Sequence, residues 1–187
     1  MNLDTEIKIL IVDDSPDSLG MLNDVLSNAG MTVLVALGGK QALNICEQIT
    51  PDIILLDAVM PEIDGFEVCK KIKEKKASIP IIFMTGLTST EDIVRGLETG
   101  AVDYVTKPIN NDEMLARVRV HVHNARNHIS AKIALEVAGQ SIIAVDQIGN
   151  IVWATNRAQD QLDKYANTPD VLTLSLIHIS EPTRQDR

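Results

Sequence analysis

Two tandem carboxylates (Asp13 and Asp14), a third carboxylate (Asp57), a hydroxyl (Thr85) and an ammonium (Lys107) stand at the ends of four short apolar runs. Brought together, these groups define a specific chemistry. Like charges a few Å apart repel by ~4 kcal/mol per pair at an effective dielectric near 20, so clustered carboxylates require a cation. Hard oxygen ligands favour Mg2+, which keeps several waters and also binds phosphate oxygens. A metal held by Asp14 and Asp57 would neutralise an incoming phosphoryl group, and Asp57 could then attack phosphorus to give an aspartyl phosphate. Lys107 would pair with one phosphoryl oxygen and the Thr85 hydroxyl with another. The charge added at Asp57 would draw both inward.

The elements that must position these groups are legible in the hydrophobic pattern. Ile53-Ile54-Leu55-Leu56, bounded by Pro51 and Pro61, is an unbroken apolar run and predicts a strand buried on both faces, with Asp57 at its end. Ile7–Val12, Thr32–Ala36, Ile79–Met84 and Ala101–Val105 predict four more strands. Between them the apolar residues recur at helical spacing. Ser15-Pro16 caps a first helix carrying Leu19, Leu22, Val25, Leu26 and Ala29, which stops at Asn28-Ala29-Gly30. Gly38-Gly39 precedes a second, with Ala42, Leu43, Ile45, Cys46 and Ile49. Asp64-Gly65 is the turn and cap of a third, with Phe66, Val68, Cys69 and Ile72 inward and Lys70, Lys71, Lys73, Lys75 and Lys76 as its solvated face. Ser89 or Thr90 caps another, holding Ile93, Val94 and Leu97 and ended by Gly100.

Strands alternating with helices across short loops predict an α/β fold with right-handed crossovers. Five such units in about 110 residues fit a doubly wound five-stranded parallel sheet of order 2-1-3-4-5. In that order the strands ending in Asp13-Asp14, Asp57, Thr85 and Lys107 are neighbours, and their carboxyl ends face one edge. No G-x-G-x-x-G follows the first strand, so dinucleotide binding has no support.

The totals set outer bounds. The 187 residues are 45% hydrophobic and 23% charged, ordinary for a soluble globular protein, and 3% aromatic, so the core is aliphatic. A net charge of −9 argues against general affinity for nucleic acid. Cys46 and Cys69 lack metal-site spacing and read as thiols of a reduced compartment. The start has no basic and apolar leader pattern, and no apolar run reaches membrane-spanning length, so the expectation is a cytoplasmic protein with no membrane partner.

The ordered set Val12-Asp13-Asp14, Leu56-Asp57, Met60-Pro61, Asp64-Gly65, Thr85-Gly86 and Lys107-Pro108 resembles the receiver domain of bacterial two-component response regulators, over roughly Ile7 to His121. That resemblance implies a flavodoxin-like fold. It implies that Asp57 is the phosphoacceptor, loaded from a phosphohistidine on a sensor histidine kinase or phosphotransfer protein. It implies Asp14 as the direct Mg2+ ligand, Asp13 acting largely through water, and the Val59 backbone carbonyl completing the metal site. Thr85 and Lys107 take the places of the switch hydroxyl and the phosphate-pairing lysine, and Tyr104 that of the rotating switch aromatic. A cis peptide is expected at Lys107-Pro108. Val59 and Leu87, each two residues past a motif residue, are apolar here, which implies slow autodephosphorylation, because neither side chain can position the hydrolytic water.

Past Pro108, Asn110-Asn111-Asp112-Glu113 opens a helix with acids in its first turn. Leu115, Val118, Val122, Ala125 and Ile129 continue it beyond the receiver, as a linker and a possible homodimer seam. His121, His123, Arg126, His128 and Lys132 read as its solvated face. Ser141–Val145, the turn Asp146–Asn150, Ile151–Ala154 and a helix from Asn156 resemble the opening of a PAS-type sensor domain. The stretch Leu174–Arg184 resembles translated sequencing-adapter sequence. The expected organisation is thus a receiver over residues 1–121, a helical linker over 122–138, a truncated PAS-like segment over 139–173 and a non-native tail over 174–187. The function expected is a phosphorelay switch with only self-directed phosphorylation and dephosphorylation, whose output is transcription through a module outside these residues. Two alternatives stay open: a stand-alone phosphoryl shuttle or sink, and a Mg2+-dependent aspartyl phosphohydrolase. The last would want a second acid two residues after Asp57, where Val59 stands.

Overall fold

The structure is a computed structural model and describes residues 6–86, 96, 98–146 and 148–166. The expected helix around Ile93, Val94 and Leu97, the position of Leu87, and residues 174–187 lie outside the described residues.

The first compact unit runs to His128. Its strands β1 (Lys8–Val12), β2 (Thr32–Ala36), β3 (Ile53–Asp57), β4 (Ile81–Thr85) and β5 (Asp103–Thr106) form one parallel sheet of order β2-β1-β3-β4-β5, as predicted. Among the described residues its helices are α1 (Pro16–Asn28), α2 (Gly39–Gln48), α3 (Gly65–Lys75) and α4 (Asn111–Val137), of which α4 continues into the second unit.

Strand alternation builds two cores, one on each face of the sheet. Leu10, Val12, Ile54, Leu56, Ile81 and Phe83 point to one side and pack with Ala42 and Cys46 of α2 and Phe66, Val68, Cys69 and Ile72 of α3. Ile9, Ile11, Ile53, Leu55, Ile82 and Met84 point to the other and pack with Leu19, Leu22 and Leu26 of α1 and Met114, Val118 and Val122 of α4. Each such side chain contributes about 1.5–3 kcal/mol on burial. β3 lies between β1 and β4 with both faces covered, which is why its sequence is apolar at every position before Asp57. Both cysteines are buried and unpaired.

The local signals act as expected. Ser15 caps α1, accepting from the Ser18 N–H, and Pro16 fills the first turn. Asp64 caps α3 through the Glu67 N–H at 2.7 Å. Asn110 caps α4 through the Glu113 N–H at 3.1 Å. Gly30 ends the α1 turn at φ 83°, a region open to glycine. β5 begins at Asp103 rather than Ala101. Val102 already donates to the Ile81 carbonyl at 2.9 Å, so pairing with β4 starts before regular strand geometry does.

The second unit holds an antiparallel hairpin, β6 (Ile143–Val145) and β7 (Ile151–Ala154), turned at Gly149, followed by helix α5 (Asn156–Ala166). Thr155 is fully buried; its hydroxyl accepts from the Ile142 N–H at 3.0 Å and donates to the Gln140 carbonyl at 2.9 Å. Among the described residues no helix is long and apolar enough to cross a membrane.

Candidate functional site

Every strand that ends at the site is pinned to its neighbour one step beyond the regular ladder. The Asp13 N–H donates to the Ala36 carbonyl at 3.2 Å, Ala58 to Met84 at 3.1 Å, and Lys107 to Thr85 at 2.8 Å. The sheet thus carries its order into the loops, and the side chains leave it from fixed points.

Asp13, Asp14 and Asp57 each offer a carboxylate oxygen, and these oxygens all lie within 4.8 Å of one another. Asp13 and Asp57 are buried; Asp14 is exposed. Two of the three are held by their own backbone. The Asp13 Oδ1 accepts from the Ser15 N–H at 2.8 Å, and the Asp57 Oδ1 from the Val59 N–H at 3.1 Å. Both are Asx-turn contacts, a carboxylate bonded two residues on, and short acid-led turns of this kind are readable in a sequence.

The remaining oxygens face Lys107. Its Nζ lies 2.6 Å from Asp57 Oδ2 and 2.9 Å from Asp13 Oδ2. Burial alone would lower the ammonium's pKa. Its hydrogen bonds to Asp57 and Asp13, with their charges, outweigh that and push it above its ordinary value. The Lys107-Pro108 peptide is cis, as expected.

Thr85 is buried at the end of β4, one residue past Met84, the register partner of Asp57. Val59 is 60% exposed, so its side chain opens to solvent beside the acids while its N–H holds Asp57. Tyr104 lies opposite Phe83 in register and packs, half-buried, on the core shared by α2 and α3. Asp13, Asp14, Asp57 and Lys107 are therefore brought into contact range, Thr85 ends the neighbouring strand one residue past the register partner of Asp57, Val59 lies two residues past Asp57 in the chain, and Tyr104 stands further down β5.

Sequence reasoning missed the role of Gly65. Its N–H donates to the Ala58 carbonyl at 3.0 Å, and a Cβ there would lie 2.1 Å from the Asp57 carbonyl oxygen. Only a glycine lets α3 start this close beneath the Asp57 loop. The Asp64-Gly65 pair carried a turn signal but none for this approach.

It also treated His121 and Arg126 as solvated. His121 Nε2 lies 3.0 Å from Asp103 Oδ2, which Arg117 Nη1 also contacts at 2.7 Å. Burial would raise the Asp103 pKa, but the hydrogen bonds from His121, Arg117 and the Tyr104 N–H hold it below its ordinary value. The acid partners, Asp103 on β5 and Asp52 just before β3, lie outside the helix, where a helix-face reading cannot look.

The donor set fits a hard divalent cation: among the described residues the cluster is made of carboxylate oxygens alone.

A doubly wound α/β sheet with an acid cluster and a lysine at its carboxyl edge defines the class. Residues 9–119 match the sequence profile of the response regulator receiver domain, and the chain belongs to that family. Phosphoryl acceptance by aspartate and binding of Mg2+ are general features of such domains. Over 114 residues the chain is 40% identical to the DNA-binding dual master transcriptional regulator RpaA of Synechocystis, covering 60% of this chain and 47% of that protein. Over 125 residues it is 42% identical to a Vibrio cholerae protein named "Probable cyclic di-GMP phosphodiesterase", covering 66% of this chain and 28% of that protein. Among solved structures, the Francisella response regulator 1452 receiver domain superposes with a TM-score of 0.61 at 31% identity, covering 64% of this chain and 98% of that one. The chain thus spans less than half the length of these two relatives.

Proposed function

We propose that this protein is a phosphorelay switch in which Asp57 accepts a phosphoryl group from the phosphohistidine of a sensor kinase or phosphotransfer protein. The observation that carries this reading is the Asp57 carboxylate itself, held at a strand end 2.6 Å from the Lys107 ammonium with Asp13 and Asp14 in reach. An Asp57 oxygen attacks phosphorus, an O–P bond forms, the N–P bond to the donor imidazole breaks, and the imidazole leaves with the electron pair. Asp13, Asp14, Asp57 and the Val59 carbonyl would hold Mg2+, which supplies charge neutralisation at the phosphoryl oxygens.

This chain's own groups do the rest. The Val59 N–H orients the Asp57 carboxylate, and the Ser15 N–H orients that of Asp13. Lys107 trades a carboxylate partner for a phosphoryl oxygen, the Thr85 hydroxyl takes another, and Tyr104 repacks in response. The output is transcription, exerted through a DNA-binding module; RpaA, which shares the receiver, is named as DNA-binding. Its place of action is the cytoplasm, where such kinases present their phosphohistidines. The hairpin and helix of the second unit are read as the opening of a PAS-like sensor segment, and α4 as a linker able to pair two copies.

The test is incubation with acetyl phosphate and Mg2+ followed by intact mass measurement. Wild type gains one phosphoryl group, EDTA prevents it, and Asp57→Ala gains none. A phosphoryl group on Asp57→Ala, or none on wild type with Mg2+, overturns the reading.

A further inference from the structure

Asp52 immediately precedes β3, at the far end of the strand from Asp57. Its N–H donates to the Lys8 carbonyl at 2.7 Å, and its Oδ2 accepts from the Lys8 N–H at 2.8 Å. These two bonds fix the carboxylate against the start of β1. The other oxygen, Oδ1, then meets Arg126 of α4, whose Nε lies at 3.3 Å and Nη2 at 3.2 Å.

The position of Arg126 gives the contact its meaning. Val122 is the last residue of α4 buried in the first unit's core. Arg126 follows one helical turn later, on the same face. Beyond it the apolar residues Ile129, Ile133 and Val137 are 45%, 56% and 83% exposed. Apolar anchoring of the helix therefore stops at Val122, and the polar contact takes over.

We propose that Asp52 and Arg126 form a latch that fixes the point where α4 leaves the receiver. Both are positioning residues, and neither touches the acid cluster. The Arg126 side chain is 34% exposed and that of Asp52 27%, so water and salt weaken the pair. A hold of that kind can open and close reversibly without unfolding the core beneath it. The latch does not depend on the phosphorylation reading and is tested without phosphate.

The experiment is hydrogen exchange on the full chain, comparing wild type, Arg126→Gln, Asp52→Asn and the double variant. Asparagine keeps an oxygen for the Lys8 N–H and removes the charge. Each single variant is expected to exchange about fivefold faster over residues 123–128, the loss expected for a partly exposed pair. The double variant should exchange no faster than either single one. Molar NaCl should bring wild type toward the variants and leave the variants unmoved. Arg126→Lys, which keeps the charge but has one nitrogen in place of the guanidinium Nε and Nη2 donors, should fall between. Wild-type exchange in Arg126→Gln, effects that multiply in the double variant, or insensitivity of wild type to salt would each overturn the latch. Should Asp52→Asn also loosen residues 8–12, Arg126→Gln and the salt series decide.

Discussion

Replacing Lys107 by methionine removes the cation from a site that holds two buried carboxylates. At an effective dielectric of about 20, an ammonium 2.6 Å from one carboxylate and 2.9 Å from another gains about 6 kcal/mol of gross attraction from each. Desolvation takes back most of this. What remains visible on removal is the cost of leaving charge buried and unpaired, roughly 3–5 kcal/mol for a buried pair. The Lys107 side chain is 31% exposed, so solvent shares the screening and the low end, about 3 kcal/mol, is expected. For a unit of this size that is a fall in Tm of roughly 10 °C. Thermal unfolding of the first unit, followed by circular dichroism in EDTA at low salt, reads it directly. Adding Asp57→Asn should recover part of the loss, because one stranded charge is gone. Mg2+ should raise the Tm of Lys107→Met more than that of wild type, since the ion no longer competes with the ammonium. The pH dependence has a definite sign. The folded protein holds the Lys107 proton more tightly than the unfolded chain, so the contribution is complete below 10.5, its ordinary pKa. It is lost as pH rises through the higher folded value, where the two proteins converge. A Lys107→Met protein as stable as wild type in EDTA at neutral pH would refute the assignment of Lys107 as the resident counter-charge.

Two further outcomes follow from the same geometry. Gly65→Ala sets a methyl 2.1 Å from the Asp57 carbonyl, so the loop must shift; a stability loss of about 1–3 kcal/mol and phosphoryl uptake slowed about a hundredfold are expected, and uptake at the wild-type rate would show that the loop's placement is immaterial. Val59→Asn puts an amide able to hold a water beside Asp57, where an exposed valine now stands, and should shorten the lifetime of the aspartyl phosphate; an unchanged half-life removes the idea that the apolar residue slows hydrolysis.

Much of this protein is written in its local sequence, and the reason is physical. Ile53–Leu56 is apolar without a break because β3 is covered on both faces, so the central strand and the acid at its end declare themselves. Ser15-Pro16, Asp64-Gly65 and Asn28-Ala29-Gly30 mark helix ends because caps are settled within a few residues. The alternation of strands and helices predicts a parallel sheet that fits the observed order, and in that order the ends carrying Asp13, Asp14, Asp57 and Lys107 are neighbours.

What the chain could not disclose locally is which oxygen faces which atom. Asp13 and Asp14 are equivalent as letters, yet only the folded sheet buries Asp13 against Lys107 and leaves Asp14 to solvent. Gly65 reads as an ordinary turn residue until α3 is seated beneath the Asp57 carbonyl. His121 and Arg126 read as a wet helix face because their partners, Asp103 and Asp52, sit 18 and 74 residues away. Periodicity reports which side of an element is apolar. It carries no information about pairs that form only when two distant elements are laid side by side, and those pairs were left to the tertiary structure.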